Sequence, residues 1–232
     1  MKILITGYSR SGTTMLRHLI RGHKHVKHIL HETMLLVGAR GIVGSGFAMW
    51  AWNGGEPIKF SFDYDNEVWG EKILYDYPCM DYGVFDALDY CLFWNELFLP
   101  DAIIINIIRH PFDVVISSAM KKRIELSKAM DIYKRWMPWM WEEIEELPNS
   151  KTFKFEDLLF ATQVTLEEVF DCCGLDSGRG AVKQAVSRAR TDLQGGRLNS
   201  GNAYKYVNNY GYTALLADKG LCSIAEKLGY GI

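Results

Sequence analysis

Residues 2–14 read KILITGYSRSGTT, and the fold follows from how they are read. Lys2 to Thr6 is a short apolar run ended by Gly7, the pattern of a buried strand. Small residues follow, and from Thr13 to Arg21 the side chains Met15, Leu16, Leu19 and Ile20 return on one face of a helix. A strand, a tight turn of small residues and a helix make an anion site. The unpaired backbone N–H groups at the helix start point into the turn, and the helix dipole adds partial positive charge. Gly7-Tyr8-Ser9-Arg10-Ser11-Gly12-Thr13-Thr14 is one residue away from the phosphate-loop pattern G-x-x-x-x-G-K-[ST], with Thr13 in place of the lysine. In a nucleotide triphosphatase that lysine reaches the β- and γ-phosphates, and a separate aspartate helps hold magnesium. The lysine is missing here, and no apolar strand runs into the required aspartate. The loop therefore suits a single terminal phosphate, with Arg10 as a fixed charge and Ser11, Gly12, Thr13 and Thr14 as close-fitting donors. The competing reading is a turn that binds nothing.

A second constellation lies in INIIRHPFDVVISSAMKKR. Ala102 to Ile108 is a continuous apolar run with a single asparagine, as in the centre of a parallel sheet. Arg109 closes it, Pro111 sits in the turn and Asp113 opens a helix as an expected N-cap. Arg109 and Ser117, from strand end and first helical turns, can meet on one anion at the sheet's carboxyl edge, where open α/β sheets bind ligands. The alternative is an Arg109–Asp113 structural bridge.

The remaining pattern alternates strands and helices: a strand at Val26 to Ile29, and helices at Phe85 to Leu97, Phe112 to Arg123 and Met130 to Leu147. A strand at Lys151 to Phe155 follows, then helices at Leu166 to Cys173, Gly180 to Arg190 and Leu215 to Leu228. Residues 38–70, rich in Gly, Trp and Phe, take no assignment. The alternation predicts a single α/β domain over residues 1–232, three layers with a central parallel sheet between helices. Trp136, Trp139 and Trp141 are read as packing on a long helix.

Bulk composition agrees with an ordinary globular chain: 232 residues, 48% apolar, 23% charged, net charge -2. Such a charge carries no nucleic-acid footprint. The five cysteines show no C-x-x-C and no zinc spacing with histidine, so no metal site is expected and the thiols read as free in a reducing compartment. There is no signal-peptide pattern, and the longest weakly charged stretch, Met34 to Trp52, holds Arg40 and several glycines. The expectation is a cytoplasmic protein without a transmembrane segment. The sequence is silent on oligomeric state.

SRSGTT after the first strand, R-x-P-x-D-V-x-x-S at Arg109 to Ser117, and FEDL at Phe155 to Leu158 together resemble the PAPS-dependent sulfotransferases. The resemblance runs in order over nearly the whole chain. It implies a fold like that of the P-loop kinases, and 3'-phosphoadenosine 5'-phosphosulfate (PAPS) as donor, leaving as 3',5'-ADP. It assigns the 5'-phosphate to Arg10, Ser11, Gly12, Thr13 and Thr14, and the 3'-phosphate to Arg109 and Ser117, two separate anion pockets at one sheet edge. Phe155 matches an aromatic near the adenine. Arg197, followed by Gly201, Tyr204 and Lys205, is similar to the family's late R-x-x-x-G stretch and would be a further 3'-phosphate ligand. The chain departs from the pattern at Ser9, usually Pro, and at Leu198-Asn199, often Lys-Gly.

Sulfuryl transfer to an alcohol or amine should be in-line and loose, with charge building on the leaving oxygen. A sulfuryl group carries less charge than a terminal phosphoryl group, so a loop and one cation can serve without metal. Arg10 is the expected cation, and Lys72 in VWGEKILYDYP is a second charge-stabilising candidate. The acceptor needs a general base. Glu32 stands where carbohydrate sulfotransferases place a glutamate, with His31 as the alternative; Glu32 could instead pair with Lys72 or Arg40. His23, His25 and His28 read as a solvated basic rim. Trp50, Trp52, Phe60, Phe62 and Trp69 could stack on a sugar or hydrophobic acceptor, or form a covering core. The acceptor class stays open among small molecules, carbohydrates, lipids and peptides. Rival readings are a P-loop small-molecule kinase and a non-catalytic nucleotide-binding protein.

Overall fold

The computed structural model describes residues 1–31, 68–72, 74, 102–192, 204–206 and 210–231. Strands β1 (Lys2–Thr6), β2 (Val26–His31), β3 (Val68–Lys72), β4 (Ala102–Ile108) and β5 (Ser150–Lys154) form one sheet in the order β2-β3-β1-β4-β5. Every neighbouring pair is parallel. The helices are α1 (Thr13–Arg21), α2 (Pro111–Lys122), α3 (Leu126–Glu145), α4 (Phe155–Phe160), α5 (Thr162–Cys172), α6 (Arg179–Asp192), α7 (Tyr210–Leu216) and α8 (Lys219–Lys227).

Strand side chains alternate between two cores. Leu4, Ile104 and Ile108 face one layer with Val115 of α2, Tyr133 and Met137 of α3 and Leu221 of α8. Ile3, Ile5, Ile105 and Ile107 face the other, with Leu16 and Leu19 of α1, Leu166 and Phe170 of α5 and Val182 of α6. The architecture is the expected three-layer α/β/α sandwich. β-branched isoleucine fits a strand buried on both faces, and each such side chain contributes about 1.5–3 kcal/mol on burial. The lone asparagine of β4 is accounted for: Asn106 Nδ2 donates to Thr152 Oγ1 at 2.9 Å, its register partner on β5.

Several boundaries differ from the sequence reading. β3 falls at the end of the unassigned stretch, where Trp69, Gly70 and Glu71 give little strand signal. Gly70 is needed there, because a Cβ would lie 2.1 Å from the Ile3 carbonyl oxygen. α3 starts at Leu126, earlier than expected, and carries Pro138 inside it. The single final helix is two, α7 and α8. Asp218 separates them by accepting from Leu221 N at 2.8 Å, an N-cap in the interior of the expected run. His23 is not part of a solvated rim: it is buried against Phe170, with Nε2 3.0 Å from the Asp176 carbonyl oxygen. His25 and His28 are exposed. Cys172, Cys173 and Cys222 are free, and burial pushes the Cys173 thiol up to about 12. Among the described residues no helix is long and apolar enough to cross a membrane. Glu32, Arg40, Arg197, Trp50, Trp52, Phe60, Phe62 and the expected helix Phe85 to Leu97 lie outside the described residues, as does the side chain of Trp69.

Candidate functional site

A parallel sheet puts the carboxyl ends of all its strands on one edge. On this edge β2 ends at His31, β3 at Lys72 and β1 runs into the loop after Thr6. β4 gives way to Arg109, and β5 to Phe155. Four of the strands thus bring a candidate residue within one position of their ends, and β1 leads into the loop that carries the others. Lys72 is in register with Ile5 of β1 on one side and His31 of β2 on the other, and it is buried. Glu32 follows His31 directly in the chain.

The loop is shaped by backbone conformations that few residues adopt. Gly12 has φ +99° and caps α1 from the N-terminal side, and Arg10 is left-handed at φ +75°. Ser11 N donates to Tyr8 O at 3.1 Å, closing the turn. No side chain caps α1 and no acidic residue sits in its first turn, which suits an anionic ligand. Ser11 and Thr13 are buried, Gly12 is half-buried, and Thr14 and Arg10 are exposed. A Cβ on Gly7 would meet Thr13 Cγ2 at 3.0 Å, so the threonine in the lysine position packs under the loop. Its backbone N–H, at the start of α1, is what it offers a ligand.

Phe155 closes the floor. A Cβ on Gly12 would come 2.2 Å from Phe155 Cδ2, and the Arg109 guanidinium carbon lies 4.8 Å from the ring centroid. The aromatic is held between the loop and the arginine. Arg109, itself buried, donates from Nη2 to Asp113 Oδ2 at 2.7 Å and from Nη1 to the Arg10 carbonyl oxygen at 3.3 Å. Arg10 Nε in turn donates to Ser117 Oγ at 3.0 Å. The two groups of residues read from the sequence therefore adjoin, joined through Arg10. The bridge from Arg109 to Asp113 is present, and the same guanidinium also reaches the loop at the Arg10 carbonyl.

Asp113 is not the N-cap. His110 takes that position, its Nδ1 accepting from Phe112 N at 3.3 Å, and Asp113 turns inward to the arginine. Accepting at Nδ1 requires that nitrogen to be unprotonated, and burial lowers the His110 pKa to match. Tyr204, Tyr212 and Tyr230 surround the ring.

Beneath lies a carboxylate that the sequence reading passed over. Glu156, within the FEDL motif, accepts from His110 N at 3.0 Å and from the Tyr230 hydroxyl at 2.8 Å. It ties the β4–α2 turn to the carboxyl-terminal residues. The available signal was an acidic residue inside the apolar run FKFEDLLF. Burial raises the Glu156 pKa above its ordinary 4.5, outweighing the two hydrogen bonds. A raised carboxyl pKa means the folded state holds the proton more tightly than the unfolded one. Its contribution to stability is then greatest below the ordinary value and is lost as pH rises through the shifted value. Glu156→Gln removes this dependence. In paired denaturant titrations from about pH 4 to pH 7, wild-type stability relative to the variant should fall with rising pH. A flat or rising difference would contradict the assignment.

No protein-family model matches the chain, and no curated protein matches it in sequence. Solved structures do match. The sulfotransferase domain from the curacin biosynthetic pathway superposes with a TM-score of 0.63 at 14% identity, over 99% of this chain and 98% of that one. The sulfotransferase domain of the Synechococcus PCC 7002 olefin synthase gives 0.62 at 19% identity, over 100% and 96%. The chain has the sulfotransferase fold. Mouse sulfotransferase SULT7A1, solved in complex with PAP, gives 0.53 at 14% identity over 83% of this chain and 66% of that one. In this sulfotransferase fold the loop, Arg109 and Phe155 sit together at the sheet edge, while the Trp- and Gly-rich segment that sequence reading set aside for an acceptor lies outside the described residues.

Proposed function

We propose that the protein transfers a sulfuryl group from PAPS to a hydroxyl or amine of a small-molecule, carbohydrate or lipid acceptor. The observation that carries this reading is the convergence of an uncapped, glycine-shaped loop, a buried Arg109 bonded to the loop's Arg10 carbonyl, a Ser117 hydroxyl bonded to the Arg10 side chain, and a buried lysine on one sheet edge. A nucleotide with phosphates at both ends fits those residues. Gly12 has no room for a Cβ because the Phe155 ring packs directly against it, which fixes the loop at the start of α1. PAPS supplies the activated sulfuryl group and leaves as 3',5'-ADP.

In this reading the N–H groups of Ser11, Gly12, Thr13 and Thr14 hold the 5'-phosphate, and Arg109 and Ser117, with Arg197, hold the 3'-phosphate. Phe155 supports the adenine side. Glu32 takes the proton from the acceptor as its oxygen or nitrogen bonds to sulfur. Lys72 and Arg10 balance the charge that stays on the phosphate oxygen when its bond to sulfur breaks. Register puts the end of the strand that leads to Glu32 opposite Lys72, on the same sheet edge. The machinery proposed uses no metal.

Thermal shift tests the reading directly. Saturating 3',5'-ADP without magnesium should raise the melting temperature, since a ligand at about 100 times its dissociation constant adds about 2.7 kcal/mol. Stabilisation by ATP-magnesium alone would replace this reading with a kinase. Binding of 3',5'-ADP with no transfer to any acceptor in a panel would mark a non-catalytic nucleotide-binding protein.

A further inference from the structure

Asp113 stands in the first turn of α2, where the helix dipole favours a carboxylate, yet it serves neither as cap nor as surface charge. It is fully buried. Oδ2 accepts from Arg109 Nη2 at 2.7 Å and from the backbone N of Lys205 at 3.0 Å. Oδ1 accepts from the backbone N of Tyr206 at 3.1 Å. One of these donors is the guanidinium of the proposed 3'-phosphate pocket. The other two belong to a segment far along the chain, just past the late R-x-x-x-G stretch.

A second observation points the same way. Tyr204 is left-handed at φ +49°, a conformation disfavoured for a residue with a Cβ and kept where surrounding contacts hold it. Its ring packs edge-on against His110 at 5.6 Å, on the turn that carries Arg109. Residues 204–206 are thus held at the pocket by both backbone and side chain.

We propose that Asp113 is a positioning residue that couples occupancy of the 3'-phosphate pocket to docking of residues 204–206. The inference rests on the nucleotide-binding reading above. Arg109 divides its donors between Asp113 and the Arg10 carbonyl. When the two amides engage Asp113, they share its negative charge and leave more of the guanidinium's attraction for a phosphate. A phosphate at Arg109 draws the cation toward itself, and Asp113 then depends more on the amides. The linkage is reciprocal: docking favours the phosphate, and the phosphate favours docking. A nucleotide that lacks the 3'-phosphate carries no such coupling.

Hydrogen exchange read at the Lys205 and Tyr206 amides tests this, with the protein alone, saturated with 3',5'-ADP, or saturated with 5'-AMP. 3',5'-ADP should slow those amides at least about fivefold more than 5'-AMP does. In Asp113→Asn the amides should exchange fast in all three states. Because Arg109 loses the carboxylate that fixes its guanidinium and residues 204–206 undock, the variant's preference for 3',5'-ADP over 5'-AMP, from calorimetric titration, should shrink at least about tenfold with 5'-AMP affinity nearly unchanged. A merely structural role would weaken both nucleotides alike. Equal response of the amides to both nucleotides, or an intact preference in Asp113→Asn, overturns the inference. If the variant does not fold, the exchange comparison on the wild-type protein decides alone. If neither nucleotide binds the wild-type protein, the sulfotransferase reading fails first and this inference falls with it.

Discussion

Replacing Arg109 by alanine should weaken 3',5'-ADP binding by about 2 kcal/mol or more, roughly thirtyfold, because a charge-assisted hydrogen bond to phosphate is lost. The same change should destabilise the fold. Asp113, with a side chain only 1% exposed, would be left buried without its cation. Breaking a buried pair from one side costs about 3–5 kcal/mol, and the low end applies because the Lys205 and Tyr206 amides still serve the carboxylate. Arg109→Lys separates the two effects. A lysine keeps a positive charge near Asp113 but has no planar fork to reach both Asp113 and the Arg10 carbonyl. Its stability should recover most of the loss while its affinity for 3',5'-ADP stays low. Calorimetric titration and denaturant midpoints read the two quantities independently. Undiminished affinity in either folded variant would remove Arg109 from the nucleotide site.

Gly12→Ala is the second large effect. The new methyl would sit 2.2 Å from Phe155 Cδ2, and the backbone there has φ +99°. The conformation alone costs about 1–2 kcal/mol for a residue with a Cβ. Displacing a locked aromatic adds about 1–3 kcal/mol. A total near 3 kcal/mol corresponds to a fall of about 6–12 °C in melting temperature for a chain this long. Nucleotide affinity should fall as well, since the loop moves off its floor. A double-mutant cycle with Phe155→Ala isolates the clash: the double variant should be more stable than the two single losses add up to, and the residue of the penalty is the backbone's. Strict additivity would mean that the ring and the loop do not press on each other.

The parts of the fold legible in the sequence are those where local pattern and tertiary role coincide. KILIT and AIIINII are apolar on both faces, which only a central parallel strand uses, and the glycines of the loop are needed where Phe155 and Ile107 press against it. Val68–Lys72 was hidden because a Trp-Gly-Glu run lacks strand periodicity; its strand character comes from pairing with β1 and β2. The division of the last helix was readable in principle from Asp218 as a cap, but an apolar stripe ran through it. At the sheet edge, the placement of Arg109 at the end of β4 and of Ser117 on the following helix was legible from spacing. The inward turn of Asp113 was not, because its partners at Lys205 and Tyr206 are brought in by the chain's return. Nor was the role of Glu156, whose partners His110 and Tyr230 are equally distant in sequence.

The strand order has a consequence for synthesis. β1 leaves the ribosome before the other strands of this sheet, yet its neighbours are β3 and β4, ending at Lys72 and Ile108. At translation speeds of about 5–20 residues per second, Ile3, Leu4 and Ile5 wait roughly 5–20 s before both flanks can be closed. For that interval an apolar strand edge of the nascent chain is open to strangers, so yield in cells should track chaperone supply more than the stability of the finished molecule.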